Sequence, residues 1–140
     1  MKRLVLDASV AAKWYLEEQY SDAAFQLASR EPEWVIPDLF FAEMGNVFWK
    51  KVRGGEMDEA DAKEALTDLL SFGFKQRETR ALTPYALELA VEFQCSVYDG
   101  LYLAVAIDEN CPLITADQKF YRIFSKTALG EHLLWIEDLK

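Results

Sequence analysis

Short apolar runs alternate along this chain with longer stretches of helical period. Arg3–Leu6, Trp34–Ile36 and Pro112–Thr115 read as buried strands, and Leu133–Ile136 as a last one. Asp7 and Ser9 can cap a helix running to about Leu16. Ser21 starts a second, with Ala24, Phe25, Leu27 and Ala28 as its apolar face. Pro37 stops the strand before it, and Asp38 caps a long helix from about Leu39 to Val52 that Gly54-Gly55 ends. Asp58 opens another, to about Phe72, turning Ala62, Ala65, Leu66, Leu69 and Leu70 inward. Thr83-Pro84 marks a further start, with Thr83 as N-cap, for a helix to about Phe93. Asp99 caps the next, Gly100 to Glu109, and Asp117 a short one to about Phe124. This alternation predicts an α/β fold: a central parallel β-sheet flanked by helices, as a single domain over residues 1–140.

Charge narrows the functional classes. Fifteen Lys and Arg against 24 Asp and Glu leave a net charge of −9. Such a balance weighs against a broad nucleic-acid footprint, which draws on cations. It leaves room for a local basic rim and suits a protein that gathers carboxylates to hold cations. Phe40, Phe41, Phe48 and Trp49 nearly encircle one helix, so part of that ring is a candidate dimer or partner surface, with Trp14 and Tyr15. No apolar run is long enough to cross a membrane, and the start lacks the pattern of a signal peptide, so the cytoplasm is the expected compartment. Cys95 and Cys111 belong to no C-x-x-C pair and are expected reduced and packed inside.

Four acids stand out by position. Open α/β sheets carry their chemistry beyond the carboxyl ends of the strands. Asp7 follows a strand directly, Asp117 follows one after a single intervening residue, and Asp99 begins a helix after Val97-Tyr98. Each serves equally well as a plain helix cap. Glu43 has Leu39, Phe40, Asn46 and Val47 as helical neighbours, and a carboxylate on a mostly apolar face needs a partner. That partner is either a Lys or Arg, or a metal ion. Glu17, Glu18, Asp58, Glu59, Asp61 and Glu64 read as solvated charge, and His132 as a surface residue.

Taken in order, these segments resemble the PIN domain, and more narrowly the VapC-type toxins of prokaryotic toxin–antitoxin pairs. The resemblance rests on Leu4-Val5-Leu6-Asp7-Ala8-Ser9-Val10, on Pro37-Asp38-Leu39 with Glu43 and Asn46, on Tyr98-Asp99-Gly100-Leu101-Tyr102-Leu103-Ala104, and on Leu113-Ile114-Thr115-Ala116-Asp117. It spans nearly the whole chain. It implies that Asp7, Glu43, Asp99 and Asp117 meet in one cleft as catalytic and metal-binding residues, with Ser9 and Thr115 supporting them. It further implies Mg²⁺ or Mn²⁺, an RNA substrate cut by hydrolysis, a VapB-like antitoxin partner and a homodimer. Gly100 stands where many relatives carry Ala, an exchange of small for small expected to be neutral.

The residue types suit that chemistry. Mg²⁺ and Mn²⁺ favour oxygen ligands, and a bound ion lowers the pKa of water near neutral pH. A metal-free ribonuclease commonly needs two histidines as acid and base, and this chain has one. Phosphate contacts would fall to Lys13, Lys50, Lys51, Arg53, Lys119, Arg122 and Lys126. Two other enzymes fit less well. A haloacid-dehalogenase-like phosphatase needs a second Asp where Ser9 stands, and a receiver domain needs adjacent acids early in the chain. A PIN-like scaffold that binds RNA or protein without cutting is the alternative from another class.

Overall fold

The computed structural model describes residues 2–138. Its centre is one five-stranded sheet, all parallel, in the order β3-β2-β1-β4-β5. The strands are β1 (Arg3–Leu6), β2 (Glu33–Pro37), β3 (Lys75–Arg77), β4 (Leu113–Thr115) and β5 (Leu133–Trp135). Leu4, Val5, Leu6, Val35, Ile36, Leu113 and Ile114 are fully buried, which is why these runs lack a polar alternation. The helices around the sheet are α1 (Ala8–Ala11), α2 (Ser21–Ser29), α3 (Phe40–Arg53), α4 (Glu59–Ser71), α5 (Thr83–Phe93), α6 (Val97–Glu109) and α7 (Gln118–Phe124).

The chain winds outward from β1 through β2 to β3, then crosses back to β4 and β5. The strand order therefore reverses between β1 and β4, the place where such sheets open a crevice. The register Val5↔Leu113 and Leu6↔Ile114 sets the carboxyl ends of these two strands side by side.

Several local expectations are corrected. β3 was not anticipated: Lys75-Gln76-Arg77 is polar because it is an edge strand, tied down by Arg77 bonding Glu109 and Asp108. The first helix stops at Ala11 and tightens into a 3₁₀ turn over Ala12–Trp14, from which the Trp14 indole N–H reaches the Ala24 carbonyl at 2.9 Å. Trp14 is thereby spent inside, against Trp34 and Phe72, rather than offered to a partner. Leu39, not Asp38, precedes α3, because the Asp38 carboxylate accepts from the Thr79 backbone N–H and hydroxyl. Thr83 is the first residue of α5, with Leu82 at the cap position, although Pro84 does lie in the first turn. Ser96, not Asp99, caps α6, its hydroxyl accepting from the Asp99 N–H at 3.0 Å. Asp117 does cap α7, accepting from the Phe120 N–H at 3.1 Å.

Phe25 and Leu70, expected inward, are exposed. Phe40 and Phe48 are buried, while Trp49 is 52% exposed. Cys95 and Cys111 are free, the first half-buried and the second buried. Gly100 is not interchangeable with Ala here, since an added Cβ would stand 2.6 Å from the Ala86 carbonyl oxygen. α5 and α6 touch backbone to backbone at that point. Among the described residues no helix is long and apolar enough to cross a membrane.

Candidate active site

Asp7 leaves the end of β1 only 6% exposed. The Thr115 hydroxyl, fully buried at the end of β4, donates to the Asp7 carboxylate at 2.8 Å. The Ser9 hydroxyl donates to the same oxygen and accepts from the Ala116 N–H at 3.0 Å. The Asp117 N–H in turn donates to the Thr115 hydroxyl at 3.1 Å. These bonds staple β1 to β4 where the strand order reverses, and they hold Asp7 and Asp117 in fixed relation.

Glu43 arrives from the first turn of α3 and Asp99 from the first turn of α6. Together with Leu39, Asn46, Ser96 and Tyr98 they line a cleft of about 460 Å³. The four acids stand close enough to disturb one another. Burial, followed by the charges of Asp7 and Asp99, pushes Glu43 from 4.5 up to about 7. Burial, then Asp7 and Asp117, raises Asp99 from 3.8 to about 6. Asp7 is also raised, chiefly by burial and further by Asp117, against the opposing bonds from Ser9 and Thr115. None of the four has a Lys or Arg ion-pair partner among the described residues. Of the two partners expected for Glu43, the basic side chain is therefore missing.

This donor set suits a hard divalent cation. It is all oxygen, it has no ion-pair partner among the described residues, and the burial of Asp7 and half-burial of Glu43 and Asp99 make their charge costly without a cation, while Asp117 is exposed. No three of the acids close on a common point near enough to hold an ion together among the described residues. Mg²⁺ tolerates that, since it is commonly held by one or two carboxylates and keeps several waters.

One polar group here was missed in the sequence. Tyr102, one turn beyond Asp99 on α6, was read as part of an apolar helix. It is 1% exposed, and its hydroxyl stands against the Glu43 carboxylate, near enough to act on it as a donor though outside ideal hydrogen-bond geometry. Its acidity is strongly suppressed by burial and by the charges of Glu43 and Asp7, which it faces. The i+3 spacing from Asp99 was the available signal.

The candidate cations divide. Lys13 is buried against Glu18 at 3.3 Å and lies over the Tyr20 ring, and Lys51 pairs with Glu18 and Glu56. Neither is spare for phosphate. Lys119 acts on Asp99, lowering its pKa. Lys50, Arg53, Arg122 and Lys126 have no carboxylate partner among the described residues. His132 is half-buried, 3.5 Å from Glu131. A wider groove of about 850 Å³ lies elsewhere, edged by Tyr15, Met57, Asp58, Asp61 and Asp68. None of the four acids lines it, whereas Glu43 and Asp99 line the smaller cleft.

A model of the PIN domain family matches residues 4–124, from the first residues of β1 to the end of α7. The chain belongs to the PIN domain family. Two relatives of this PIN domain come from Pyrobaculum aerophilum. Ribonuclease VapC3 is 32% identical over 124 residues, which cover 87% of this chain and 95% of the relative. Exonuclease VapC9 is 33% identical over 106 residues, 71% of this chain and 78% of the relative. Among solved structures, PAE2754 from the same organism superposes with a TM-score of 0.72 at 27% identity, over 97% of this chain and 85% of that one. VapBC2 from Rickettsia felis, bound to a promoter DNA fragment, gives 0.65 at 20% identity, over 95% and 98%. A toxin–antitoxin complex from Klebsiella pneumoniae gives 0.64 at 16%, over 97% and 99%. The last two likenesses show that the PIN fold is shared.

Proposed function

We propose that this PIN domain is a metal-dependent endoribonuclease, the toxin of a VapBC-type pair acting in the cytoplasm. The observation that carries the reading is the gathering of Asp7, Glu43, Asp99 and Asp117, without a cationic partner among the described residues, at the reversal of strand order. The names of the relatives, Ribonuclease VapC3 and Exonuclease VapC9, support nuclease chemistry. The toxin–antitoxin complexes among the structural neighbours support a VapB-like partner. A homodimer follows from the family resemblance.

In this reading Asp7 and Asp99 hold Mg²⁺ or Mn²⁺, directly or through water, and Asp117 and Glu43 complete the set. When bound, such an ion makes water more acidic and offsets charge on the phosphate. Ser9 and Thr115 keep the Asp7 carboxylate aimed and, by donating to it, favour its ionised form against the upward push of burial. Glu43, whose carboxyl titrates near neutrality, is the group best placed to take a proton from the attacking water at a carboxylate oxygen. Attack by water rather than by the RNA's own 2′-hydroxyl leaves 5′-phosphate and 3′-hydroxyl ends.

The test uses purified protein free of antitoxin, with end-labelled and circular single-stranded RNA. Cleavage should require Mg²⁺ or Mn²⁺, stop with EDTA, and fall by about 100-fold or more in Asp7→Asn or Asp99→Asn. Circular RNA should be opened, which separates endonuclease from exonuclease action. Full activity in EDTA, or a 2′,3′-cyclic phosphate product, would sink the mechanism.

A further inference from the structure

One face of α3 runs out of the cleft and carries no cover. Ala42, Asn46, Trp49, Lys50 and Arg53 are all exposed, and Glu43 lies at the edge of the same face. Arg53 extends the stripe to roughly 15 Å from Glu43 along the helix axis. The Trp49 indole is half in solvent, and the Arg53 guanidinium carbon lies over it, 4.6 Å from the ring centroid. At the other end Tyr98, 65% exposed, forms the rim of the cleft beside Asp99.

The helix dipole explains why cations gather in the last turn of α3. It does not explain the exposed indole beneath Arg53, nor why Lys50 and Arg53 have no acidic partner among the described residues of a chain of net charge −9. Lys51, between them, is engaged by Glu18 and Glu56. A second copy whose two-fold axis passed at Lys50 and Arg53 would set like charges against each other. A polyanion with flat bases meets both the cations and the rings, which is how sequence-tolerant single-strand binding is built.

Resting on the nuclease reading above, we infer that the Tyr98–Asn46–Trp49–Arg53 stripe is the track for single-stranded RNA leading into the acid cluster. One base stacks on Tyr98 at the mouth, another stacks on Trp49, and Lys50 and Arg53 hold phosphates. Asn46 supplies a neutral donor and acceptor between them.

The experiment compares wild type, Trp49→Ala, Trp49→Phe, Tyr98→Ala and Arg53→Ala on a single-stranded RNA of about a dozen nucleotides, with melting points recorded for each. Phe25→Ala, an exposed aromatic on α2, and Lys63→Ala, an exposed cation on α4, are controls. Trp49→Ala and Tyr98→Ala should each raise KM about tenfold and leave kcat within about twofold, and Trp49→Phe should restore most of the loss. Arg53→Ala should raise KM and lower the salt dependence by about one phosphate contact. RNA cleavage with KM and salt dependence unmoved by these changes would overturn the track and leave the nuclease reading intact. An altered oligomeric state in Trp49→Ala, with KM unchanged, would assign the face to protein contact and likewise overturn it. Neither cleavage nor binding of RNA by wild type would overturn both.

Discussion

Replacing Glu43 by Gln removes, at nearly constant shape, a charge that burial first and the neighbouring Asp7 and Asp99 next make costly. In the folded chain this carboxyl keeps its proton up to about pH 7, against an ordinary value of 4.5. Between those values the folded state binds more protons than the unfolded one, so metal-free stability falls as pH rises through the window and stays reduced above it. The gap corresponds to at most about 3 kcal/mol. Glu43 is only partly buried and water screens part of the repulsion, so the measurable share is on the order of 1–2 kcal/mol. For a chain of this size that is roughly 3–8 °C in Tm. Thermal melts in EDTA at about pH 5 and pH 8 give the assay, with the exposed Glu88→Gln as control. Glu43→Gln should match wild type at the lower pH and melt higher at the upper one. Mn²⁺ at the upper pH should then lift wild type more than the variant, since a ligand of the folded state adds stability. An equal gap between variant and wild type at both pH values would show that neither burial nor the charges of Asp7 and Asp99 hold the Glu43 carboxyl above its ordinary value.

Metal affinity should follow the same carboxyls. Mn²⁺ binding measured by calorimetry should weaken as pH falls below about 7 and release protons, because raised carboxyls must ionise to bind. Gly100→Ala should lower stability by about 1–3 kcal/mol in chemical denaturation, as its Cβ meets the Ala86 backbone. A neutral result would mean that α5 and α6 can separate there freely. Tyr102→Phe should change the metal-free melting point little, since the buried hydroxyl it removes makes no ideal hydrogen bond and only leans on the Glu43 carboxylate. The same change should weaken Mn²⁺ binding about tenfold if that hydroxyl supports the ion's shell; unaltered affinity would make it a packing residue.

Legibility in the sequence tracked burial. β1, β2 and β4 were visible because strands buried on both faces must be apolar throughout. β3 was invisible because Lys75-Gln76-Arg77 is held by backbone pairing and by Arg77's acids, which leave no hydrophobic trace. Caps were misplaced wherever a distant residue competed: Thr79, 41 positions on, claims the Asp38 carboxylate, and Ser96 caps α6 in place of Asp99. Placing Asp7 and Asp117 at strand ends needed only strand patterns, and Glu43 announced itself as a charge among apolar neighbours. Tyr102 had only its i+3 spacing from Asp99 to mark it, since a tyrosine on an apolar helix otherwise reads the same whether or not its hydroxyl faces an acid. Gly100 looked replaceable because spacing along a chain says nothing of how near Ala86 will come.

The staple between Asp7 and Thr115 joins residues 108 positions apart, which gives the site a history as well as a geometry. On a ribosome adding about 5–20 residues per second, the first acid is made on the order of ten seconds before the last. Until β4 slides in beside β1, Asp7 lacks the hydroxyl that orients it and Asp117 does not yet exist. On the proposed reading an unfinished chain has an incomplete site, and the interval before β4 appears is a window in which a binder of the earlier helices could engage the nascent protein ahead of any cutting.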